Sequence, residues 1–299
     1  MLAEQSNCSK MNTKKTASNS ISHRKVIVNN TSVHLAETGN KGNQIILLLH
    51  GYPENWQAFG EVMNELSDNY NLLAIDLPGI GESEKIAAND TYALARFIND
   101  FIRSLGLERI VLAGHDIGGM ITYTFLKYFP ESLSKAIIMN TAVPGVEPWE
   151  EVKRNPYIWH FAFYAIPSLP EALITGKQRV LFDYFYDTIS ANKHAITESK
   201  RNIYTKAYEK QSSLKTSFDW YRAFPQDEKI NADKSPTNIP VLYLRGEKDF
   251  GTIEKYIEGF KKSGINNIKG ESIPGCGHFA PEEQPIKVAT AIRNFITQV

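Results

Sequence analysis

The chain of 299 residues has few cysteines, no excess charge of one sign and no long apolar run. Its two cysteines, Cys8 and Cys276, cannot form a disulfide framework or a four-ligand zinc site. Basic and acidic residues both total 33, so the basic excess of a nucleic-acid-binding protein is missing. The longest purely apolar run, Ile45–Leu49, is far below the roughly 20 residues that cross a bilayer. We therefore expect neither nucleic acid nor a membrane as a partner.

The polar N-terminus lacks the apolar segment of a secretory signal peptide. We predict a disordered tail over residues 1–22 and, without a signal peptide or a membrane span, a cytoplasmic location. No GxxxxGK[ST] phosphate loop or HExxH zinc motif occurs, so we expect no cofactor and no metal. The oligomeric state stays open, with a homodimer formed through the cap described below as one alternative.

Short apolar runs alternate with amphipathic stretches along most of the chain. This strand–helix repetition predicts an α/β protein with a mostly parallel sheet of about eight strands and crossover helices. Apolar runs and a leading hairpin predict strands at Arg24–Val28, Ser32–Glu37, Gln44–His50, Asn71–Asp76, Arg109–Gly114, Lys135–Asn140, Val241–Gly246 and Asn267–Ile273. Amphipathic stretches predict helices near 57–67, 91–105, 118–128 and 253–262, and from about 284.

The repetition stops over residues 141–235, where no strand pattern occurs. This stretch holds 16 of the chain's 33 aromatic residues. We predict an α/β core over residues 23–140 and 236–299, with an inserted helical cap over 141–235. Because the cap leaves and re-enters at the carboxyl edge of the sheet, where such sheets bind ligands, its aromatic residues are predicted to line a pocket as a set. Ordinary core packing is the alternative for any one of them.

The motif GHDIGG, Gly114–Gly119, lies between a predicted strand and a predicted helix. Its G-x-Nu-x-G form is typical of the tight turn that holds a nucleophile above a sheet, and Asp116 occupies the nucleophile position. Gly114 and Gly118 stand where such a turn leaves no room for a side chain. Free N–H groups at the helix N-terminus favour an ionised carboxylate there. The alternative is an aspartate that only caps the helix.

Three further loops follow predicted strands. In HGYPENW, the backbone N–H of Tyr52 would hold an oxyanion together with the N–H of Ile117. GEKD ends at Asp249, a candidate for the acid of a triad, and GCGHF contains His278, a candidate general base. Each loop alone is more simply a turn, a helix cap or a surface histidine. The order nucleophile, acid, histidine, with each residue just past a separate strand, is the α/β-hydrolase order.

Over residues 24–298 the chain resembles the α/β-hydrolases of the epoxide hydrolase and haloalkane or haloacetate dehalogenase branch. The motifs HGYPENW, DLPGIGES and GHDIGG carry this resemblance, and the aspartate nucleophile separates the branch from serine esterases. In the cap, WHF (Trp159–Phe161) and FDWYRAF (Phe218–Phe224) resemble the segments that hold the ring-opening acids of epoxide hydrolases, with a His/Tyr pair similar to that of Cif-type epoxide hydrolases.

The resemblance implies roles for residues of the cap and of the last loop. Tyr221 and His160 would donate hydrogen bonds to the epoxide oxygen, as a phenol and an imidazolium. The substrate pocket would be lined by Trp159, Phe161, Trp220 and Phe279. Packing without a catalytic role is the alternative for each.

The departures from the dehalogenases favour an uncharged substrate. Haloalkane dehalogenases follow the nucleophile with a tryptophan that holds the halide, and here that residue is Ile117. Fluoroacetate dehalogenases have arginines at the positions of Ile117 and Met120, and a tryptophan at the position of Phe161. An anionic haloacid would therefore lack its charge partner, which is costly in a buried site.

The sequence therefore predicts an epoxide hydrolase with Asp116 as nucleophile, His278 as base and Asp249 as its acid. Cif-type enzymes and fluoroacetate dehalogenases place the acid after the sixth strand, at the position of Asn140, which is neutral here. We expect a small uncharged organic epoxide, a covalent aspartyl ester and a diol product. The alternatives are a dehalogenase with the same nucleophile and a non-catalytic binding protein on this scaffold.

Overall fold

The structure is a computed structural model that describes residues 20–298. Its central element is one β-sheet. Its strands are β1 (Ser22–Val28), β2 (Thr31–Gly39), β3 (Ile45–Leu49), β4 (Asn71–Ile75), β5 (Ile110–His115), β6 (Leu133–Met139), β7 (Val241–Gly246) and β8 (Ile268–Ile273). They lie in the order β1-β2-β4-β3-β5-β6-β7-β8. The strand β2 pairs antiparallel with β1 and β4, and all other neighbours are parallel. The predicted, mostly parallel eight-stranded sheet is thereby confirmed.

From β3 to β8 the helices alternate with the strands of the sheet, except that several helices lie between β6 and β7. They are α1 (Gly60–Leu66), α2 (Thr91–Ser104), α3 (Ile117–Tyr128), α4 (Trp149–Lys153), α5 (His160–Ala165), α6 (Leu169–Ile174), α7 (Gln178–Ile189), α8 (Glu198–Ala207), α9 (Gln211–Arg222), α10 (Phe224–Ile230), α11 (Ile253–Lys262), α12 (Ala280–Glu283) and α13 (Pro285–Thr297). Within residues 20–298, no helix is both long enough and apolar enough to cross a membrane. The cytoplasmic location stays a prediction.

The first two strands form the predicted hairpin. Val28 pairs with Thr31 across a two-residue turn. Asn29 and Asn30 have φ angles of 50° and 64°, the backbone that a tight hairpin turn requires and that asparagine tolerates. Because Ser22 already begins β1, the predicted tail is too long at its C-terminal end; residues 1–19 of that tail, with Cys8, lie outside the described residues.

The continuous apolar runs of the central strands arise because both faces of the sheet are covered. In β3, Leu47 and Leu49 face the core formed with α2, α3 and the cap. Ile46 and Leu48 face the second core, formed with α1 and α13. Each such side chain, when fully buried, stabilises the fold by about 1.5–3 kcal/mol. The sheet is therefore a rigid support for the loops at its carboxyl edge.

The helices α4–α10 follow one another without an intervening strand, and they belong to the segment predicted as the cap. Buried tyrosines connect them to the loop after β3: the hydroxyl of Tyr186 donates to the carbonyl oxygen of Pro53, and that of Tyr208 donates to the carbonyl oxygen of Glu54. These bonds place the cap over the carboxyl edge of the sheet.

Candidate active site

The turn between β5 and α3 has the geometry of a nucleophile turn. Asp116 has φ 50° and ψ −117°, a strained conformation for a residue other than glycine. A Cβ atom on Gly118 would lie 2.2 Å from the carbonyl oxygen of Leu49, and one on Gly114 would lie 2.0 Å from the carbonyl oxygen of Gly118. The sequence G-x-D-x-G is therefore what lets α3 approach the sheet closely enough to hold Asp116 above it.

The carboxylate of Asp116 does not cap its own helix. Instead Oδ1 accepts a hydrogen bond of 2.8 Å from the backbone N–H of Tyr52, in the loop after β3. Ile117 is the first residue of α3, where a backbone N–H has no acceptor within the helix. The structure thus places the predicted Tyr52 N–H on the carboxylate, and Ile117, the other predicted donor, follows Asp116 with an N–H that has no acceptor within the helix.

His278 and Asp249 lie beside Asp116 at the same edge of the sheet. His278 Nε2 is 3.6 Å from Asp116 Oδ2, and His278 Nδ1 is 3.4 Å from Asp249 Oδ2. The side chain of Asn140 donates to the same Oδ2 at 2.9 Å and to the carbonyl oxygen of Gly277 at 3.1 Å. Asn140 therefore orients the acid and the histidine loop, while the carboxylate that faces Nδ1 of His278 is that of Asp249.

The charges of His278, Asp116 and Asp249 change one another's pKa. Burial alone would lower the pKa of His278, but the charges and hydrogen bonds of Asp249 and Asp116 raise it to about 10. Burial alone would raise the pKa of Asp116, but the hydrogen bond and charge of His278 hold it below its usual value. In the resting protein His278 is consequently an imidazolium between two carboxylates.

A cavity of about 250 Å³ connects this cluster with the cap. Its walls are mostly aromatic and aliphatic, which suits an uncharged organic molecule. Of the residues predicted for the pocket, Phe161 and Phe279 line it, together with Tyr221 and His160. Residues that the sequence did not single out for the pocket also line it, among them Met120, Val152, Phe185, Ile189, Phe250 and Tyr256.

Tyr221 and His160 face the cavity as neighbours, with ring centroids 5.6 Å apart. Burial, followed by the charge of Asp116, raises the pKa of Tyr221 well above its usual value, so the phenol keeps its proton. Burial lowers the pKa of His160 to about 3. The predicted imidazolium form of His160 is therefore wrong near neutral pH, and any hydrogen bond from this residue comes from the N–H of the neutral ring.

The two tryptophans predicted for the pocket do not line it. Trp220 is buried in the cap and does not line the cavity. Trp159 is 36% exposed, stacks on Phe185 and donates to the hydroxyl of Tyr184. This correction has a simple cause: neighbouring residues in a helical segment point in different directions, so Tyr221 and His160 reach the cavity while the adjacent Trp220 and Trp159 do not.

Arg245 is a buried residue of the cavity wall that the sequence analysis did not identify. Its Nη2 atom lies 3.3 Å from Asp249 Oδ2, and its Nη1 atom donates to the hydroxyl of Tyr243 at 2.9 Å. The signal was visible in VLYLRG, since a charged residue inside an apolar strand needs a buried partner. Its guanidinium is already engaged and is not a free anchor for an anionic substrate.

The histidine loop is held from two sides by residues that the sequence analysis also missed. His115 lies between the Oε2 atom of Glu54, at 2.9 Å from Nδ1, and the carbonyl oxygen of His278, at 2.8 Å from Nε2. Glu283 accepts from the backbone N–H groups of Gly277 at 3.0 Å and Phe279 at 3.1 Å. Fixed backbone on both sides of His278 limits how far its ring can move.

Comparisons with known proteins concern the sequence and the fold. A family model for the α/β hydrolase fold matches residues 44–285. Epoxide hydrolase 3 of Xenopus tropicalis is 27% identical over 281 residues, which are 89% of this chain and 74% of that protein. The soluble epoxide hydrolase of Corynebacterium sp. (strain C12) is 26% identical over 288 residues, 93% of this chain and 98% of that protein.

Among solved structures, the crystal structure of the Cif epoxide hydrolase from Acinetobacter nosocomialis is similar to this chain with a TM-score of 0.83. The match covers 92% of this chain and 89% of that one, at 22% sequence identity. At that identity the likeness concerns the fold, and the chemistry has to be argued from the residues of this chain.

Proposed function

This hydrolase belongs to the α/β-hydrolase family, and we propose that it is an epoxide hydrolase that converts a small uncharged epoxide to a diol through an ester on Asp116. The observation that carries the proposal is the carboxylate of Asp116 facing Tyr221 and His160 across an apolar cavity. Ring opening uses up the negative charge of the attacking carboxylate and creates negative charge on the epoxide oxygen. The carboxylate lies on one side of the cavity, and neutral donors that can stabilise the oxygen lie on the other. Similarity to the two epoxide hydrolases supports the same proposed activity.

In the first step Asp116 attacks a ring carbon. A new C–O bond to the carboxylate forms while the C–O bond of the ring breaks, and the released oxygen takes a proton from the phenol of Tyr221. The N–H of His160 stabilises the same oxygen. We assign Oδ2 as the attacking atom, because Oδ1 accepts the hydrogen bond of Tyr52.

In the second step water hydrolyses the ester. Esterification removes the charge of Asp116, which lowers the proton affinity of His278. The imidazolium then gives its proton to the phenolate of Tyr221, which restores the phenol and leaves a neutral His278 that can act as a base. His278 takes one proton from water, and the hydroxide attacks the ester carbonyl, whose oxygen is held by the N–H groups of Tyr52 and Ile117. The ester C–O bond breaks and the leaving oxygen keeps the second proton of the water. The proton taken from water returns His278 to its resting imidazolium form.

The test is a panel of uncharged epoxides scored for diol formation, with wild-type protein and Asp116→Ala. We expect diol from at least one epoxide with the wild type and none with the variant. A panel of haloalkanes and haloacetates, scored for halide release, runs in parallel. Halide release without diol formation would replace the proposal with the dehalogenase alternative, and no turnover in either panel would favour a binding protein.

A further inference from the structure

Arg245 is fixed behind the acid of the proposed triad. Its side chain is buried, and the guanidinium carbon lies 4.0 Å from the ring centre of Tyr256. It donates to the carbonyl oxygen of Phe250 and to the hydroxyl of Tyr243, which itself donates to the backbone. These contacts, together with the ion pair to Asp249, hold the buried charge in one place, although its Nε atom has no hydrogen-bond partner among the described residues.

The guanidinium acts on the same oxygen atom that faces the base. Oδ2 of Asp249 lies 3.3 Å from Nη2 of Arg245 and 3.4 Å from Nδ1 of His278. Burial alone would raise the pKa of Asp249, but the charge of Arg245, followed by that of His278, holds it well below its usual range. The negative charge that Asp249 presents to His278 is therefore partly offset by Arg245.

Several titratable groups surround His278, and their balance decides when it can accept a proton. Those facing it from the packed elements are Asp116, Asp249, Arg245, His115 with its partner Glu54, His160 and Tyr221. With both carboxylates ionised, His278 holds its proton. Esterification removes one carboxylate charge, and the remaining one is that of Asp249, which Arg245 offsets.

We propose that Arg245 is a positioning residue that shares the charge of Asp249 and thereby allows His278 to release its proton once Asp116 is esterified. This inference rests on the proposed function, because it assigns Arg245 to the ester-hydrolysis half of that reaction. Without Arg245, an unshared carboxylate would keep His278 protonated at neutral pH even after Asp116 has become an ester.

The test measures the pKa of His278 directly, without substrate. Asp116→Asn gives the nucleophile position the neutral, planar side chain that the ester has. In this background, histidine NMR signals are titrated with Arg245 intact, with Arg245→Met and with Arg245→Gln; His278→Gln assigns the signal. We expect both neutral variants to raise the pKa of His278 by about one unit or more, as the loss of a nearby positive charge should.

Two matched variants separate charge from packing. Arg245→Lys keeps the charge, and we expect it to stay within about 0.3 units of the Arg245 background. Arg201→Met removes a buried arginine of the cap that pairs with Asp183 and Asp187, and it should leave the pKa of His278 unchanged. An unchanged or lowered pKa in Arg245→Met and Arg245→Gln would overturn the proposal.

A kinetic measurement complements the titration. With a substrate from the epoxide panel, the rate of ester hydrolysis in single turnover should fall for Arg245→Met below about pH 7 and recover at higher pH. An equal loss at every pH would indicate disturbed packing alone and would contradict the proposal. If the wild type opened no epoxide, the proposed function would fail, while the titration in the Asp116→Asn background would still decide the role of Arg245.

Discussion

The core side and the cap side of the cavity are built on different principles. On the core side, loops after the strands carry Asp116 and Asp249, and each carboxylate accepts hydrogen bonds within the protein. On the cap side, Tyr221 and His160 are packed among aromatic rings, and Nδ1 of His160 has no hydrogen-bond partner among the described residues. The core side holds charges in the free protein, while in the proposed reaction the cap side would donate hydrogen bonds to a charge that forms only as the ring opens.

This difference separates the two proposed steps. Changes on the core side around Asp249 should slow ester hydrolysis and leave the attack of Asp116 on the ring intact. Changes on the cap side should slow ring opening and leave hydrolysis of a formed ester intact. Burst kinetics, which resolve the two steps, can test the comparison residue by residue.

The largest effect among these variants is expected for Asp249→Asn. It should keep alkylation of Asp116 and slow ester hydrolysis by about 10³–10⁴-fold, the scale seen when a catalytic triad loses its acid. Asn140→Ala is the matched control: it removes a donor to Asp249 and should cost about 1 kcal/mol, or roughly fivefold. A slow Asn140→Ala beside a nearly normal Asp249→Asn, measured in single turnover, would show that the acid is assigned wrongly.

Fluoroacetate and chloroacetate should be poor substrates. Their carboxylate would enter a cavity whose core side already carries Asp116 and Asp249, and whose Arg245 is engaged. An unpaired buried carboxylate should weaken transition-state binding by on the order of 3–5 kcal/mol. Fluoride and chloride release, compared with diol formation from an uncharged epoxide, measures the difference. Rapid fluoride release would support the dehalogenase alternative.

Tyr221→Phe should slow ring opening by about 10²-fold, since it removes the proton donor to the epoxide oxygen. The rate at which the ester accumulates on Asp116 measures this step, and hydrolysis of the ester should change little. Tyr164→Phe serves as the control, because its hydroxyl bonds to that of Tyr52 and Tyr164 does not line the cavity. If both variants slowed the step equally, the loss would reflect aromatic packing.

A smaller effect is expected where the cap meets the core. Asp227, on α10, accepts from the backbone N–H and the hydroxyl of Thr91, and burial raises its pKa to about 7. Since this value lies above the unfolded value of about 3.9, the contribution of Asp227 to stability is full below pH 4 and is lost as the pH rises through 7.

Asp227→Asn should remove this pH dependence because asparagine stays neutral. Relative to wild type, the free energy of unfolding of the variant should rise between pH 4 and pH 8 by on the order of 1 kcal/mol. Denaturant unfolding at both values checks this. A difference between the two proteins that does not change with pH would exclude an ionising Asp227.

The sheet and the core side were predictable because both depend on local sequence. Apolar runs such as Ile45–Leu49 identify strands, and glycines such as Gly118 identify the turn that raises Asp116. Parallel strands then bring the loops holding Asp116, Asp249 and His278 to one edge, although they are far apart in the chain.

The cap side was less predictable because it depends on which face of each helix turns inward. Resemblance to known caps found Tyr221, but it also assigned the adjacent Trp220, which is buried and does not line the cavity. The neutral state of His160 follows from burial, which no motif records. Arg245 was missed because its partners, Asp249 and Tyr256, come together only once β7 and its loop are folded.

The most direct test of the account is a single turnover in ¹⁸O-labelled water with an epoxide that the protein opens. The first diol should carry unlabelled oxygen, because its new hydroxyl comes from the carboxylate of Asp116 and the label enters the enzyme. In His278→Gln the ester should accumulate as a mass increase on the protein. Labelled oxygen in the new hydroxyl of the first diol would show direct attack by water and would contradict the covalent mechanism.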